Sequence, residues 1–143
     1  MAKLVPWEVA HRGDLVVDTC ILLEEFERDT RTLGGRSLLA AIHPKKRFTA
    51  VTCLFEFLQP SDPLSEPRFR ARESWLEDSR VRISPWVDAH EPLERLARQR
   101  VGAPRLADAH VAAACIGLGR PLLTRNVRDF ERIVDLRLVE LPW

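Results

Sequence analysis

RLADAHVAAACIGLGRPLLTRNVRDF, Arg105 to Phe130, reads as helix, tight turn, buried strand and acidic loop, and that order decides the fold. Leu106 to Leu118 carries small and apolar residues at Ala109, Val111, Ala112, Ala113, Cys115 and Ile116, which suits a helix packed closely on a sheet. Asp108 falls in its first turn. Gly117 and Gly119 end the helix by admitting positive φ, and Pro121 prevents it from restarting. The strand that follows, Pro121 to Thr124, delivers Thr124, Asn126 and Asp129 to the sheet edge where open α/β sheets bind ligands.

Upstream, the same grammar repeats. Leu15 to Val17 is an apolar strand that stops at Asp18-Thr19, a pair suited to capping a helix from Ile21 to Arg28. Arg31 to Gly35 is a polar turn, Arg36 to Ile42 a short helix closed by His43-Pro44, and Lys45, Lys46 and Arg47 a small basic cluster. Phe48 to Val51 is a second strand, followed by a helix from Cys53 to Gln59 in which Glu56 is the one acid among large apolar residues. PSDPLSEP is a rigid loop before a charged helix, Arg68 to Asp78; Val81 to Trp86 is a third strand and Ala89 to Val101 a helix ended by Gly102 and Pro104. Leu136 to Leu141 alternates apolar and charged residues as an edge strand does, and residues 1 to 14 are an extension that forms a short extra strand or an arm. Strands alternating with helices imply a three-layer α/β/α domain around a central, mainly parallel sheet.

A chain of 143 residues has room for one core, so a single domain is expected. Its 45% hydrophobic and 30% charged content is globular, and a formal net charge of +1 gives no overall attraction to nucleic acid, so any basic surface must be local. No run approaches the roughly 20 apolar residues of a membrane span and the N-terminus lacks the apolar core of a signal peptide, which predicts a cytoplasmic protein. Cys20, Cys53 and Cys115 lack metal or disulfide spacing and read as small buried hydrophobes. No glycine-rich turn follows the first strand, which removes the dinucleotide fingerprint and the phosphate loop.

Asp18, Glu56, Asp108 and Asp129 each lie at a strand end or in an early helical turn, and together they can converge on one rim of the sheet. Singly, Asp18 and Asp129 serve as helix caps, Asp108 complements a helix dipole and Glu56 faces solvent. Collectively, such acids raise one another's pKa unless a cation neutralises them, and an oxygen-only donor set selects Mg²⁺ or Mn²⁺.

VVDTCILLEEF, TAVTCLFEFL and the Arg105 to Phe130 stretch resemble the PIN-domain ribonucleases, in particular the VapC-type toxins of bacterial and archaeal toxin–antitoxin pairs. The likeness runs from about Leu15 to Leu141, and its pattern falls on Asp18-Thr19, Glu56, Asp108, and Thr124, Asn126, Asp129 and Phe130 in TRNVRDF. It implies a PIN-like fold and a Mg²⁺- or Mn²⁺-dependent endoribonuclease leaving a 5′-phosphate and a 3′-hydroxyl. It also implies a homodimer and a VapB-like antitoxin whose C-terminal peptide lies near the acids. Asp18, Asp108 and Asp129 would hold a metal ion, Glu56 a second ion or the attacking water, with Asn126 the alternative to Asp129 as fourth ligand. Thr19 and Thr124 would orient carboxylates, and Arg105, Arg125 and Arg128 would meet RNA phosphates or pair with nearby acids. In that family the first strand usually begins near the N-terminus, whereas fourteen residues precede it in this sequence. Two alternatives stay open: a stand-alone RNA-processing PIN nuclease, and a catalytically silent PIN-like module that binds RNA or protein. An aspartyl-phosphate phosphatase is disfavoured because Cys20 stands where its second Asp is required, and a receiver domain because it needs an early acid pair and a lysine at a late strand end. Phe55, Phe57, Trp75 and Trp86 read as core residues, or as the lining of a partner surface, and His110 as a residue on the helix surface.

Overall fold

Leu15, Val16 and Val17 are completely buried, because a parallel strand covered on both faces by helices has no solvent side. They form β2 (Leu15–Val17), an interior strand of a six-stranded sheet. The computed structural model describes residues 1–31, 34–99 and 104–143. Its other strands are β1 (Lys3–Pro6), β3 (Arg47–Thr49), β4 (Arg82–Ile83), β5 (Leu122–Leu123) and β6 (Arg137–Glu140), ordered β1-β6-β5-β2-β3-β4. Every pairing is parallel, with Val16 opposite Phe48 on one side and Leu122 on the other. The helices are α1 (Trp7–Ala10), α2 (Thr19–Arg31), α3 (Val51–Leu58), α4 (Glu66–Ser79), α5 (His90–Ala97), α6 (Leu106–Leu118) and α7 (Val127–Phe130). They flank the sheet in the expected α/β arrangement.

Several expected boundaries shift for identifiable reasons. The helix expected over Arg36 to Ile42 shrinks to a 3₁₀ turn at Leu39–Ala41, whose approach is fixed by the buried carboxylate of Glu25. That carboxylate accepts from the Ser37 hydroxyl at 2.5 Å and from the Leu38 N–H at 2.8 Å. The third strand is only Arg82–Ile83, because a 3₁₀ turn begins at Trp86. The helix expected over Ala89 to Val101 runs from His90 and ends at Ala97, with Arg98 at its C-cap; Val101 and Gly102 lie outside the described residues, as do 32 and 33 of the expected polar turn.

β6 is not an edge strand. The N-terminal segment supplies β1, which pairs with it residue for residue from Lys3 and Arg137 to Pro6 and Glu140, so Leu138 and Val139 are both buried. Trp7 then turns inward, stacks on His11 at 5.2 Å and meets Trp143 edge-on at 6.3 Å.

The helix Leu106–Leu118 has the expected bounds, but its glycines have different tasks. Gly119 takes φ 64° as the left-handed cap. Gly117 is still helical and lies against the turn before α5, where an added Cβ would stand 1.8 Å from the Asp88 carbonyl oxygen. His110 is not on the surface: it is 1% exposed, held between the Thr52 hydroxyl at 3.0 Å from Nδ1 and the Trp86 ring stacked at 4.2 Å. Phe57 and Trp75 are buried with Phe26, whereas Phe55 and Trp86 are 63% and 50% exposed.

Gly117→Ala is expected to destabilise the fold by about 1 to 3 kcal/mol, since helix and turn must separate to admit the methyl group, and urea unfolding measures it. An unchanged midpoint would show that the approach is loose. Burial lowers the pKa of His110 below its ordinary value. The unfolded chain therefore takes up this proton first, and stability falls as pH drops below about 6.5. The melting temperature of the wild type is expected to fall between about pH 7 and pH 5 more steeply than that of His110→Gln; equal slopes in both proteins would contradict it.

Candidate active site

Asp18 directly follows β2 and is 7% exposed, so its carboxylate must be satisfied from within the protein. Oδ1 accepts the Thr19 N–H at 2.9 Å and Oδ2 the Thr124 hydroxyl at 2.7 Å. Two thiols complete the shell, Cys53 Sγ at 3.6 Å from Oδ1 and Cys20 Sγ at 3.5 Å from Oδ2. Thr124 has only one proton to give; its oxygen in turn accepts the Asn126 N–H at 3.0 Å, which commits the proton to Asp18. The adjacency of β2 and β5 makes this possible, since it puts residues 106 apart in sequence side by side.

Glu56 is exposed on α3, and its Oε2 accepts the Thr19 hydroxyl at 2.9 Å. Thr19 thus touches two of the four acids, Asp18 through its backbone and Glu56 through its side chain. Asp108 is partly buried in the first turn of α6. Burial raises its pKa, and Asp129, Asp18 and Glu56 raise it further, opposed by Arg105. The charges of Asp129, Asp18 and Glu56 are therefore all felt at Asp108. Among the described residues, however, no three His, Cys, Asp or Glu side chains stand close enough to ligate one ion directly.

Asp129 and Asp108 line an open cleft of about 600 Å³ with Pro104, Arg105, Arg128, Glu131 and Arg132. Asp129 does not cap a helix from Phe130; α7 starts at Val127, with Asn126 at the cap position and Asp129 in its first turn. Asn126 is exposed and its side chain makes no capping hydrogen bond. Arg105 and Arg128 are exposed beside Asp108 and Asp129. Arg125 is occupied elsewhere: its Nε and Nη2 donate to Glu24 at 3.0 and 2.9 Å, and Nη1 to the Trp143 carbonyl at 2.7 Å. This contact lowers the Glu24 pKa and raises that of Arg125. Arg125 thereby ties the acidic loop to α2 and to the C-terminal segment.

Sequence reasoning did not single out the thiols on Asp18, the Glu24 partner of Arg125, or Arg132. Cys53 is pushed up to about 12 by burial and by Asp18, so it serves as a neutral donor, and its apolar context gave no sign of that task. Arg132 follows Arg128 by one helical turn's spacing, and that periodicity was the available signal.

No protein-family model matches the chain, and no curated protein sequence matches it. Solved structures do. The fold aligns with a chain of VapBC2 from Rickettsia felis bound to a promoter DNA fragment, TM-score 0.68 at 16% identity, covering 88% of this chain and 96% of that one. It aligns with VapBC-1 from nontypeable Haemophilus influenzae, TM-score 0.66 at 23% identity over 88% and 96%. DNA-bound VapBC from Salmonella typhimurium gives 0.64 at 21% identity over 90% and 97%. The chain has a PIN-like fold. In this PIN-like chain Asp18 lies at the end of β2, and β1 is part of the sheet.

Glu56→Gln and Asp129→Asn are each expected to lower the Asp108 pKa toward the ordinary carboxylate value, read from the carboxyl carbon in an NMR titration. An Asp108 titration indifferent to both would mean that the acids do not share a field.

Proposed function

We propose that this protein is a metal-dependent endoribonuclease and the toxin of a VapBC-type toxin–antitoxin pair. What supports the reading is the effect of Asp18, Glu56 and Asp129 on the Asp108 carboxyl, with Asp18 itself held by Thr19 and Thr124. Structures of similar fold are toxin–antitoxin complexes, which supports the partner assignment.

The donor chemistry fits a hard divalent cation. Asp18, Asp108 and Asp129, with Glu56, would hold Mg²⁺ or Mn²⁺, which when bound supplies an acidified water and polarisation of the scissile phosphate. Acids of which, among the described residues, no three stand close enough to ligate one ion directly suit an ion that keeps several of its waters. Within the chain, Thr124 and the Thr19 N–H fix the Asp18 oxygens, and the Thr19 hydroxyl fixes Glu56 where it can orient a water. Arg105, Arg128 and Arg132 offer cations at the cleft to RNA phosphates; Arg125, spent on Glu24, positions the loop instead. Phe55, Trp86, Val87 and Leu106 are exposed and offer apolar area to a second copy of the chain and to an antitoxin. One observation favours a silent RNA-binding module as the second reading, namely the lack among the described residues of a ready triad of ligands.

Asp18→Asn and Asp108→Asn keep shape and remove charge, so each is expected to abolish cleavage of a fluorescent RNA by at least about a hundredfold without loss of circular dichroism. Millimolar Mg²⁺ or Mn²⁺ is expected to raise the melting temperature of the wild type, and by less in Asp108→Asn. Full activity in either variant would sink the site; metal-indifferent melting would favour the silent module.

A further inference from the structure

Each of the six strands begins at a basic residue or up to three residues after one: Lys3, Arg137, Arg120, Arg12, Arg47 and Arg82, taken in sheet order. All strands being parallel, these residues share the N-terminal rim, opposite the acids. Contacts join them. Arg137 donates to the Gly119 carbonyl, next to Arg120; Arg120 and Arg82 lie 3.7 and 5.0 Å from the Phe48 ring centre. Arg82 donates to the Lys45 carbonyl, and Lys46 Nζ to the Arg12 carbonyl at 2.7 Å. An open groove of about 610 Å³ lies at one end of this line, bordered by Lys45, Arg80 and Arg82.

The partners of these cations are mostly neutral carbonyls, so much of their charge stays uncompensated. Arg47 donates to Ile42 and Ser79 carbonyls, which makes it a structural residue. The nearby carboxylates are few: Asp14 is 3.5 Å from Arg120, Glu25 and Asp78 share a cleft with Arg47, and Glu77 borders the groove. Arg12, Lys45 and Arg80 are exposed, and their side chains make no hydrogen bond or salt bridge to the described residues. The chain's charge of +1 thus conceals two opposed rims.

We propose that the N-terminal rim is a second nucleic-acid surface, one that holds the phosphate backbone of single-stranded RNA away from the acid cleft. Strands about 4.8 Å apart spread the cations from β6 to β4 over roughly 19 Å, a row that tracks one strand's phosphates. The rim is a row of separate side chains on strand starts and turns, without the protruding helix or ribbon that reads a duplex groove. Arginine predominates, and its planar fork suits phosphate. The choice of RNA rests on the ribonuclease reading; the charge asymmetry does not.

The test is fluorescence anisotropy of a labelled oligouridylate of about 20 nucleotides, with EDTA present, from about 50 to about 200 mM salt. The variant is Arg12→Ser, Lys45→Ser, Arg80→Gly. Arg80 is left-handed at φ 56°, which glycine adopts without strain, so this change removes charge without harming the fold. The variant is expected to bind at least about tenfold more weakly at low salt, with a salt slope smaller by about 2, as three lost single-strand phosphate contacts require. Arg12→Lys, Lys45→Arg, Arg80→Lys is expected to bind as the wild type does, and Asp18→Asn no more weakly than the wild type. Equal binding by the charge-removed variant, or tighter binding of duplex DNA than of the RNA, would overturn the proposal. Rim-dependent binding by a wild type that cleaves no RNA with Mg²⁺ or Mn²⁺ would overturn the ribonuclease reading and leave the rim standing.

Discussion

A buried carboxylate survives in a folded protein only when donors replace the water it has lost, and Asp18 is where this chain meets that demand. Leaving it without donors would cost several kcal/mol, and each hydrogen bond to a charged group returns about 1.5 to 3 kcal/mol. One of its donors arrives from β5, so the carboxylate is held only if β2 and β5 are neighbours in the correct register. The geometry of the rim and the topology of the sheet therefore stand or fall together. Arg125 reinforces the arrangement from the outer side, tying the residue after Thr124 to α2 through Glu24.

The parallel sheet also sorts charge. A helix returning between parallel strands starts at the rim where strands end, so its N–H groups, the positive end of its dipole, lie beside Asp18 and Asp108. Its carbonyls end at the opposite rim, where Arg137 meets the end of α6 and Arg47 the end of α4. Acids and bases are thus each placed beside the helix ends that favour them, and both rims hold more charge than those ends require. Arg105, Arg128 and Arg132 offset acids at the cleft, whereas few carboxylates lie beside the basic rim. A chain nearly neutral in total can in this way present two charged faces.

Most of the architecture was legible because parallel strands covered on both faces read as short unbroken apolar runs, and Leu15 to Val17 is such a run. The helix Leu106–Leu118 was legible to the residue, since its small side chains and the left-handed Gly119 mark both its packing and its end. Asp18, Asp108 and Asp129 stood out because each follows a strand or opens a helix, and Glu56 because it is the one acid among large apolar residues. Distances were not legible: the sequence could not show that, among the described residues, no three of these side chains stand close enough to ligate one ion directly. β6 looked like an edge because alternation signals one wet face, and only the pairing with β1 reveals that its other side is occupied. His110 looked exposed because a lone polar residue on a helix usually is; Thr52 and Trp86, from distant segments, bury it. Arg125 looked available to a phosphate for the same reason, since Glu24 is 101 residues away.

On the proposed function, side chains from four parts of the chain share one hydrated divalent ion at the acid rim. Anomalous diffraction from crystals soaked in millimolar Mn²⁺ tests it most directly. The expected result is a manganese peak among Asp18, Asp108 and Asp129, on the side that Glu56 faces, lost in Asp108→Asn. Manganese bound elsewhere on the chain with none at that rim would contradict it.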